Sequence, residues 1–272
     1  MTRIDPPRNF RHLQSLARAA DYIAASLPVA AAIDNQVFPA EGRDYRNIIA
    51  SFGPATAPRI VVGAHYDVYR NQPGADDNGS GVAALLELAH LFSACRPALQ
   101  HRVDLVAYGL EEPPYFRTLY MGSAVHARSL AAAGVDVRFM VSLDALGFYS
   151  VKAGPAPFLF PLLQSGDLEP GNTTAVVGRK GQEDEITRNL QGFMAEKSRV
   201  KVLDLALAPG VMGIDFSDHL NYWHQGYPGV MITNFYTSPN PHYHQPGDTI
   251  DTLDFPRLSE VVKGLYWALI RF

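Results

Sequence analysis

Five consecutive apolar or small residues, Ile60-Val61-Val62-Gly63-Ala64, run into His65 and are followed by a Gly/Asp/Asn-rich loop and an apolar helical stretch, Val82–Phe92. A strand without polar alternation has both faces covered, as in the middle of a parallel sheet packed between helices. The rhythm then repeats: His101–Gly109 reads as a strand, Met121–Ala133 as a helix closed by Gly134, and Val137–Leu143 as a strand. Ahead of it, Leu13, Leu16, Ala20, Ile23 and Leu27 take helical spacing over residues 11–27 until Pro28 stops the helix. Strands are expected at Val29–Phe38 and Arg46–Phe52.

The second half is less regular. Residues 154–171 read as a Pro/Gly-rich loop, followed by strand Thr173–Val177, helix Asp184–Lys197 and strand Val200–Leu207. A short helix at Asp218–His224, a strand at Val230–Phe235 and a closing helix at Phe255–Ile270 complete the chain. No repeat or linker divides it. The expected fold is α/β: a single domain over residues 1–272 with a mixed, mostly parallel central sheet flanked by helices on both faces. Residues 1–44 supply a helix and a strand, and residues 45–272 carry the candidate chemistry.

Composition narrows the function. Lys and Arg number 23 against 27 Asp and Glu, a formal charge of −4, and no basic run stands out, so neither nucleic acid nor an anionic membrane is an expected partner. The single cysteine, Cys95, excludes an internal disulfide framework and a thiolate zinc site. It follows an apolar helix and is expected to be a small buried side chain. No apolar leader or span-length apolar stretch is present, and a cytoplasmic protein is the expectation.

Potential metal ligands collect at strand exits. His65 and Asp67 follow one strand, Glu111 and Glu112 another, and Asp144 a third; Asp76 and Asp77 lie in the Gly-rich loop, His244 and Asp248 in a late loop. The C-terminal ends of parallel strands form the usual site crevice of an open α/β sheet. Each cluster also has a plain reading: Asp76–Gly81 alone is equally a turn with a helix cap, and Glu111-Glu112 a solvated loop edge. Together they favour a metal site. Two imidazoles with several carboxylates and no thiolate suit zinc or another borderline divalent ion. Five ligands exceed one catalytic zinc's need, whereas two metals sharing one carboxylate use five economically, an arrangement suited to hydrolysis.

Taken in order, Gly63-Ala64-His65-Tyr66-Asp67, Pro73-Gly74-Ala75-Asp76-Asp77-Asn78-Gly79-Ser80-Gly81, Glu111-Glu112, Gly122-Ser123, Ser142-Leu143-Asp144, Ser217-Asp218-His219 and Tyr243-His244-Gln245-Pro246-Gly247-Asp248 resemble the peptidase M28 family from about residue 45 onward. The resemblance implies the zinc-dependent exopeptidase fold (phosphorylase/hydrolase-like) and a co-catalytic dizinc aminopeptidase acting on peptides or small aminoacyl substrates. It implies that Asp76 bridges two Zn2+ ions, with His65 and Asp144 completing one site and Glu112 and His244 the other. Asp67 matches the carboxylate that orients His65. Asp77 and Asp218 are expected as supporting carboxylates around the ligands, and the Asp76–Asp77 peptide as cis. Glu111 matches the general base acting on a metal-bridged water, and Tyr243 a tyrosine that helps hold the carbonyl oxygen.

The family also contains glutaminyl cyclases, which suggests an alternative single-zinc acyltransferase; Tyr243 stands where the animal cyclases resemble a tryptophan. A non-catalytic binding protein would be expected to have lost a ligand or the base, and Glu111 and five ligands are present. Two departures concern the substrate. Pro113-Pro114-Tyr115-Phe116-Arg117-Thr118-Leu119-Tyr120-Met121 separates Glu112 from Gly122 and makes a stiff aromatic rim, readable as loop packing or as a reshaped pocket. Residues 154–171 fall where the family varies and could form a lid. Ser217-Asp218-His219 is no hydrolase triad, since neighbouring residues do not fold back on one another and no Gly-x-Ser-x-Gly elbow exists.

Overall fold

The computed structural model describes residues 1–29, 31–152, 169 and 171–272. The expected lid at 154–171 therefore lies, apart from Glu169 and Gly171, outside the described residues. Eight strands form one sheet: β1 Ala32–Ala40, β2 Arg43–Phe52, β3 Arg59–His65, β4 Arg102–Tyr108, β5 Val137–Asp144, β6 Thr173–Arg179, β7 Lys201–Leu207 and β8 Gly229–Thr233. Their order is β1-β2-β4-β3-β5-β8-β6-β7. The central run β4-β3-β5-β8 is parallel throughout, as is β6-β7, while β1-β2, β2-β4 and β6-β8 pair antiparallel. The mixed, mostly parallel sheet expected from the sequence is the one observed.

Helices α1 (Leu13–Ser26), α2 (Gly81–Cys95), α3 (Gly122–Ala132), α4 (Asp184–Ala195), α5 (His219–Trp223) and α6 (Phe255–Leu269) cover both faces. Side chains alternate along a strand, so β3 sends Ile60, Val62 and Ala64 into a core shared with Leu16, Leu88, Leu190 and Leu265. Val61 faces the other side, among Val106, Met140, Ala127 and Tyr222. Gly63 is required by this second core: a Cβ there would stand 2.2 Å from the Tyr108 ring. Truncating one of these buried leucines to alanine costs ~2–5 kcal/mol, so the strand ends are held by the core behind them. Among the described residues, no helix is long and apolar enough to cross a membrane.

Two local expectations are corrected. The β1–β2 hairpin is longer at its tip than the apolar pattern implied, because Glu41 and Gly42 both take positive φ (47° and 76°) and close a two-residue turn, pairing Ala40 with Arg43. Cys95, expected to be buried, is exposed at the last turn of α2.

Candidate metal centre

The parallel strands bring the candidate ligands together at their C-terminal ends. His65 is the last residue of β3 and Asp144 the last of β5; Glu111 and Glu112 follow β4, and His244 lies in the loop that leaves β8. The Asp76-Asp77 turn (residues 75–80) lies between β3 and α2.

One carboxylate joins the two imidazoles. Asp77 Oδ1 lies 3.3 Å from His65 Nε2, and Asp77 Oδ2 lies 3.1 Å from His244 Nε2. Around this axis, Asp144 Oδ2 stands 3.9 Å from His65 Nε2 and Glu112 Oε2 stands 3.3 Å from His244 Nε2. Ligand atoms of His65, Asp77 and Glu112 all fall within 4.8 Å of one another. Glu111 Oε2 is 3.7 Å from His65 Nε2. His65, Asp144, Glu111, Glu112 and His244 thus converge as expected from the sequence.

Asp76 does not occupy the central position. Its Oδ1 accepts the backbone N–H groups of Gly147 (2.7 Å) and Phe148 (3.1 Å), and its Oδ2 accepts the Asn240 amide at 3.0 Å. This carboxylate ties the turn to the loop after β5, and the next residue, Asp77, points between the histidines. The cis peptide is likewise displaced by one residue, to Asp77–Asn78. Asp248 accepts the backbone N–H groups of Asp76 (2.8 Å) and Asp77 (3.1 Å), fixing the turn from the opposite side.

Asp67 has two duties. Its Oδ1 faces His65 Nδ1 at 3.5 Å, and its two oxygens accept the backbone N–H groups of Glu111 and Glu112, both at 3.1 Å. Ser217 donates to Asp144 at 2.6 Å. Asp218 is fully buried among the charges of His65, Asp144 and Asp67. Its neighbour His219 is a packing residue that meets the Ile214 carbonyl at 2.7 Å.

Sequence reasoning missed Tyr69. Its ring stacks on His244 at 4.1 Å between centroids, and Tyr243 stacks on the opposite face at 4.0 Å. No local pattern marks Tyr69, which becomes a neighbour of His244 only through the fold. Tyr243 also lines a cleft of about 20 Å³ with Asp144, Phe216, Met231 and Phe235.

The site is strongly acidic for a buried volume. Asp67, Asp76, Asp77, Glu111, Glu112, Asp144, Asp218 and Asp248 are all buried, so eight carboxylates gather around two imidazoles and the buried guanidinium of Arg8. Desolvated like charges are costly unless a cation compensates them. The ionisation of the groups reflects this. Burial, reinforced by Asp77, lifts Glu112 to about 8, and burial lifts Asp144 to about 7 despite the opposing charge of His65. Burial also raises Glu111 well above the ordinary range; His65 opposes this, and Glu112 and Asp218 add to it. His244 is lifted to about 10: burial works against its charged form, and hydrogen bonds to Asp77 and Glu112 outweigh it. Asp77 is pulled down by the two histidines despite its burial. Glu112 Oε1 is buried without a hydrogen-bond partner among the described residues. A set of His nitrogens and carboxylate oxygens with an excess of negative charge fits a divalent cation of the zinc type.

A family model described as peptidase family M28 matches residues 47–266. Over 99% of its length the chain is 39% identical to "Uncharacterized protein YfbL" of Escherichia coli K12, covering 84% of that protein. A "Probable leucine aminopeptidase" of Trichophyton verrucosum is 28% identical over 80% of the chain, which spans 53% of that relative. Among solved structures, a Zn-dependent exopeptidase from Parabacteroides distasonis superposes with a TM-score of 0.71 at 18% identity, over 100% of this chain and 94% of that one. A glutaminyl cyclase from Tannerella forsythia gives 0.70 at 21% identity, over 98% and 93%. These two likenesses are of fold.

Proposed function

The chain belongs to peptidase family M28, and from that premise we propose that it is a dizinc aminopeptidase that removes N-terminal residues from peptides or small aminoacyl substrates. The observation that carries this reading is the Asp77 carboxylate, with one oxygen toward His65 and the other toward His244. Under it, His65 and Asp144 would hold one ion and Glu112 and His244 the other, with Asp77 available to both. Bound zinc supplies Lewis acidity, which lowers the pKa of water and polarises an amide carbonyl.

The remaining work falls to the chain. Glu111 is held by its backbone N–H to Asp67 and lies beside His65 without being needed as a ligand. Its place beside His65 suits it to take a proton from the attacking water and return it to the departing amine. Asp67 holds the His65 ring and the Glu111-Glu112 backbone in one frame, which fixes base and ligands relative to each other. The cleft beside Asp144, walled by Phe216, Met231, Phe235 and Tyr243, has room for about one water-sized group, so as it stands it favours a small N-terminal side chain. Tyr243 borders both this cleft and His244, where its hydroxyl would meet the carbonyl oxygen as charge develops there. The fungal relative's name, an aminopeptidase, agrees with this assignment.

The test is metal content per chain after zinc loading, run with hydrolysis of a panel of aminoacyl-anilides. About two ions and activity that a chelator abolishes are expected. One ion with no anilide hydrolysis, and cyclisation of N-terminal glutamine instead, would replace this reading with the cyclase one.

A further inference from the structure

Arg8 lies outside the stretch that matches the family, yet it is only 2% exposed and sits against the metal centre. All three of its guanidinium nitrogens donate to backbone carbonyls: Nε to Tyr66 at 2.8 Å, Nη1 to Pro73 at 2.7 Å and Nη2 to Gly74 at 2.6 Å. Its own carbonyl accepts the Val68 N–H at 3.1 Å, and the neighbouring Asn9 amide donates to the Arg70 carbonyl. With the Asn9 amide also reaching Asn71 Oδ1 at 3.4 Å, residues 8 and 9 grip residues 66–74 at six points.

That gripped segment joins His65 to the Asp76-Asp77 turn, and it carries Tyr69 onto the face of His244. Both of its ends matter. Tyr66 immediately follows His65, and Gly74 sits at φ 60° two residues before Asp76, where an added Cβ would stand 2.2 Å from Val68 and 2.6 Å from the Asp77 carbonyl. A left-handed residue in so tight a place needs its carbonyl fixed, and the Arg8 fork fixes it, alongside the Gly79 N–H at 3.1 Å. The guanidinium also faces the charges of Asp67, Asp77, Asp248 and Glu112, which accounts for its tolerance of burial.

We propose that Arg8, with Asn9, is a positioning element of the metal centre, setting the path of residues 66–74 so that His65, Asp77 and Tyr69 reach their places together. The proposal rests on the metal reading of His65 and Asp77. It concerns geometry more than charge, and the two separate experimentally: lysine keeps the charge of arginine but has no planar fork to hold three carbonyls.

The test uses the full chain with zinc removed. Zinc is titrated into wild type, Arg8→Lys and Asn9→Ala, the visible spectrum of each is taken with cobalt in place of zinc, and amide exchange of residues 66–77 is followed without metal. Arg8→Lys is expected to bind zinc about 10–100-fold more weakly, the range seen when groups that orient metal ligands are removed. Its 66–77 amides should exchange faster and its cobalt spectrum should change. Asn9→Ala should show the same loosening, smaller and confined to the middle of the segment. A merely stabilising role would lower the melting temperature of Arg8→Lys while leaving zinc affinity and cobalt spectrum alone, and a purely electrostatic role would leave it like wild type; either result overturns the proposal. Should Arg8→Lys not fold, unchanged exchange and zinc affinity in Asn9→Ala would do the same. If wild type itself takes no zinc, the metal reading fails, and the exchange data alone decide whether residues 8 and 9 set the path of 66–77.

Discussion

The two sides of the site are built differently. On the β3–β5 side, His65 is 1% exposed, Asp77 5% and Asp144 8%, and each sits at a strand end or in a turn pinned by backbone N–H groups, Asp248 and Arg8. On the other side, the His244 side chain is 24% exposed and is placed by a loop and by the stacked rings of Tyr69 and Tyr243. Further out, the rim after Glu112 divides. Tyr115 is buried against Phe10 and Tyr45, while Phe116 meets Phe216 edge-on at 6.3 Å and Arg117 pairs with Asp215 at 2.6 Å. The rim thus does both things its sequence allowed: Tyr115 packs inward, and Phe116 and Arg117 brace a wall of the cleft through Phe216. The strand ends, the 75–80 turn and the His244 loop place the candidate ligands and base, and the rim fixes what the cleft admits. Under the proposed function, changes at the ligands on either side should strike chemistry, and changes at the rim should strike preference.

The largest effect is expected at Glu111. Glu111→Gln should lower kcat by about 10²–10⁴-fold, the usual contribution of a general base, with zinc content unchanged. Loss of zinc together with activity would make Glu111 a ligand and would shift the boundary between the two sides.

Next comes pH. In metal-free protein Glu112, Asp144 and His244 bind protons more tightly than they would unfolded, at about 8, 7 and 10. Against unfolded values of about 4.3, 3.9 and 6.5, all three contribute stability at low pH that is lost as pH rises through the folded values. The melting temperature of chelator-stripped protein should therefore fall as pH rises from about 4 to about 10. Stabilisation by added zinc should grow over the same range, because the ligands must shed protons to bind it. A stripped protein whose melting temperature climbs with pH would contradict the electrostatics of both sides of the site.

The smallest effect belongs to the rim. The Arg117–Asp215 pair is partly solvent-exposed, and such pairs contribute about 0–1 kcal/mol. Arg117→Ala should free Phe216 and raise kcat/KM for bulky over small N-terminal side chains by up to about five-fold, with zinc content untouched. An unchanged ratio would detach the rim from preference.

Much of this division was legible in the sequence. The unbroken apolar run Ile60–Ala64 marked the interior of β3 and its exit at His65, because a strand buried on both faces carries no polar alternation. The family's spaced motifs brought His65, Glu111, Glu112, Asp144 and His244 to one place. Of the two adjacent, buried aspartates the motifs pointed to Asp76, whereas Asp77 is the one that faces the histidines. Asp76 is drawn away by Gly147, Phe148 and Asn240, and the turn is braced by Asp248, all of them distant in sequence. Nothing local distinguishes the pair. Arg8 was silent for a related reason: a lone arginine beside two prolines carries no pattern until Tyr66, Pro73 and Gly74 surround it.

That one-residue choice is also where the account is most exposed. Zinc content per chain should be measured for wild type, Asp76→Ala and Asp77→Ala under identical loading. The account predicts about two ions in wild type, loss of both in Asp77→Ala, and retention in Asp76→Ala with a lower melting temperature from the hydrogen bonds to Gly147, Phe148, Asn240 and Ser80 that it forfeits. Loss of both ions from Asp76→Ala with retention in Asp77→Ala would contradict it and return the shared position to Asp76.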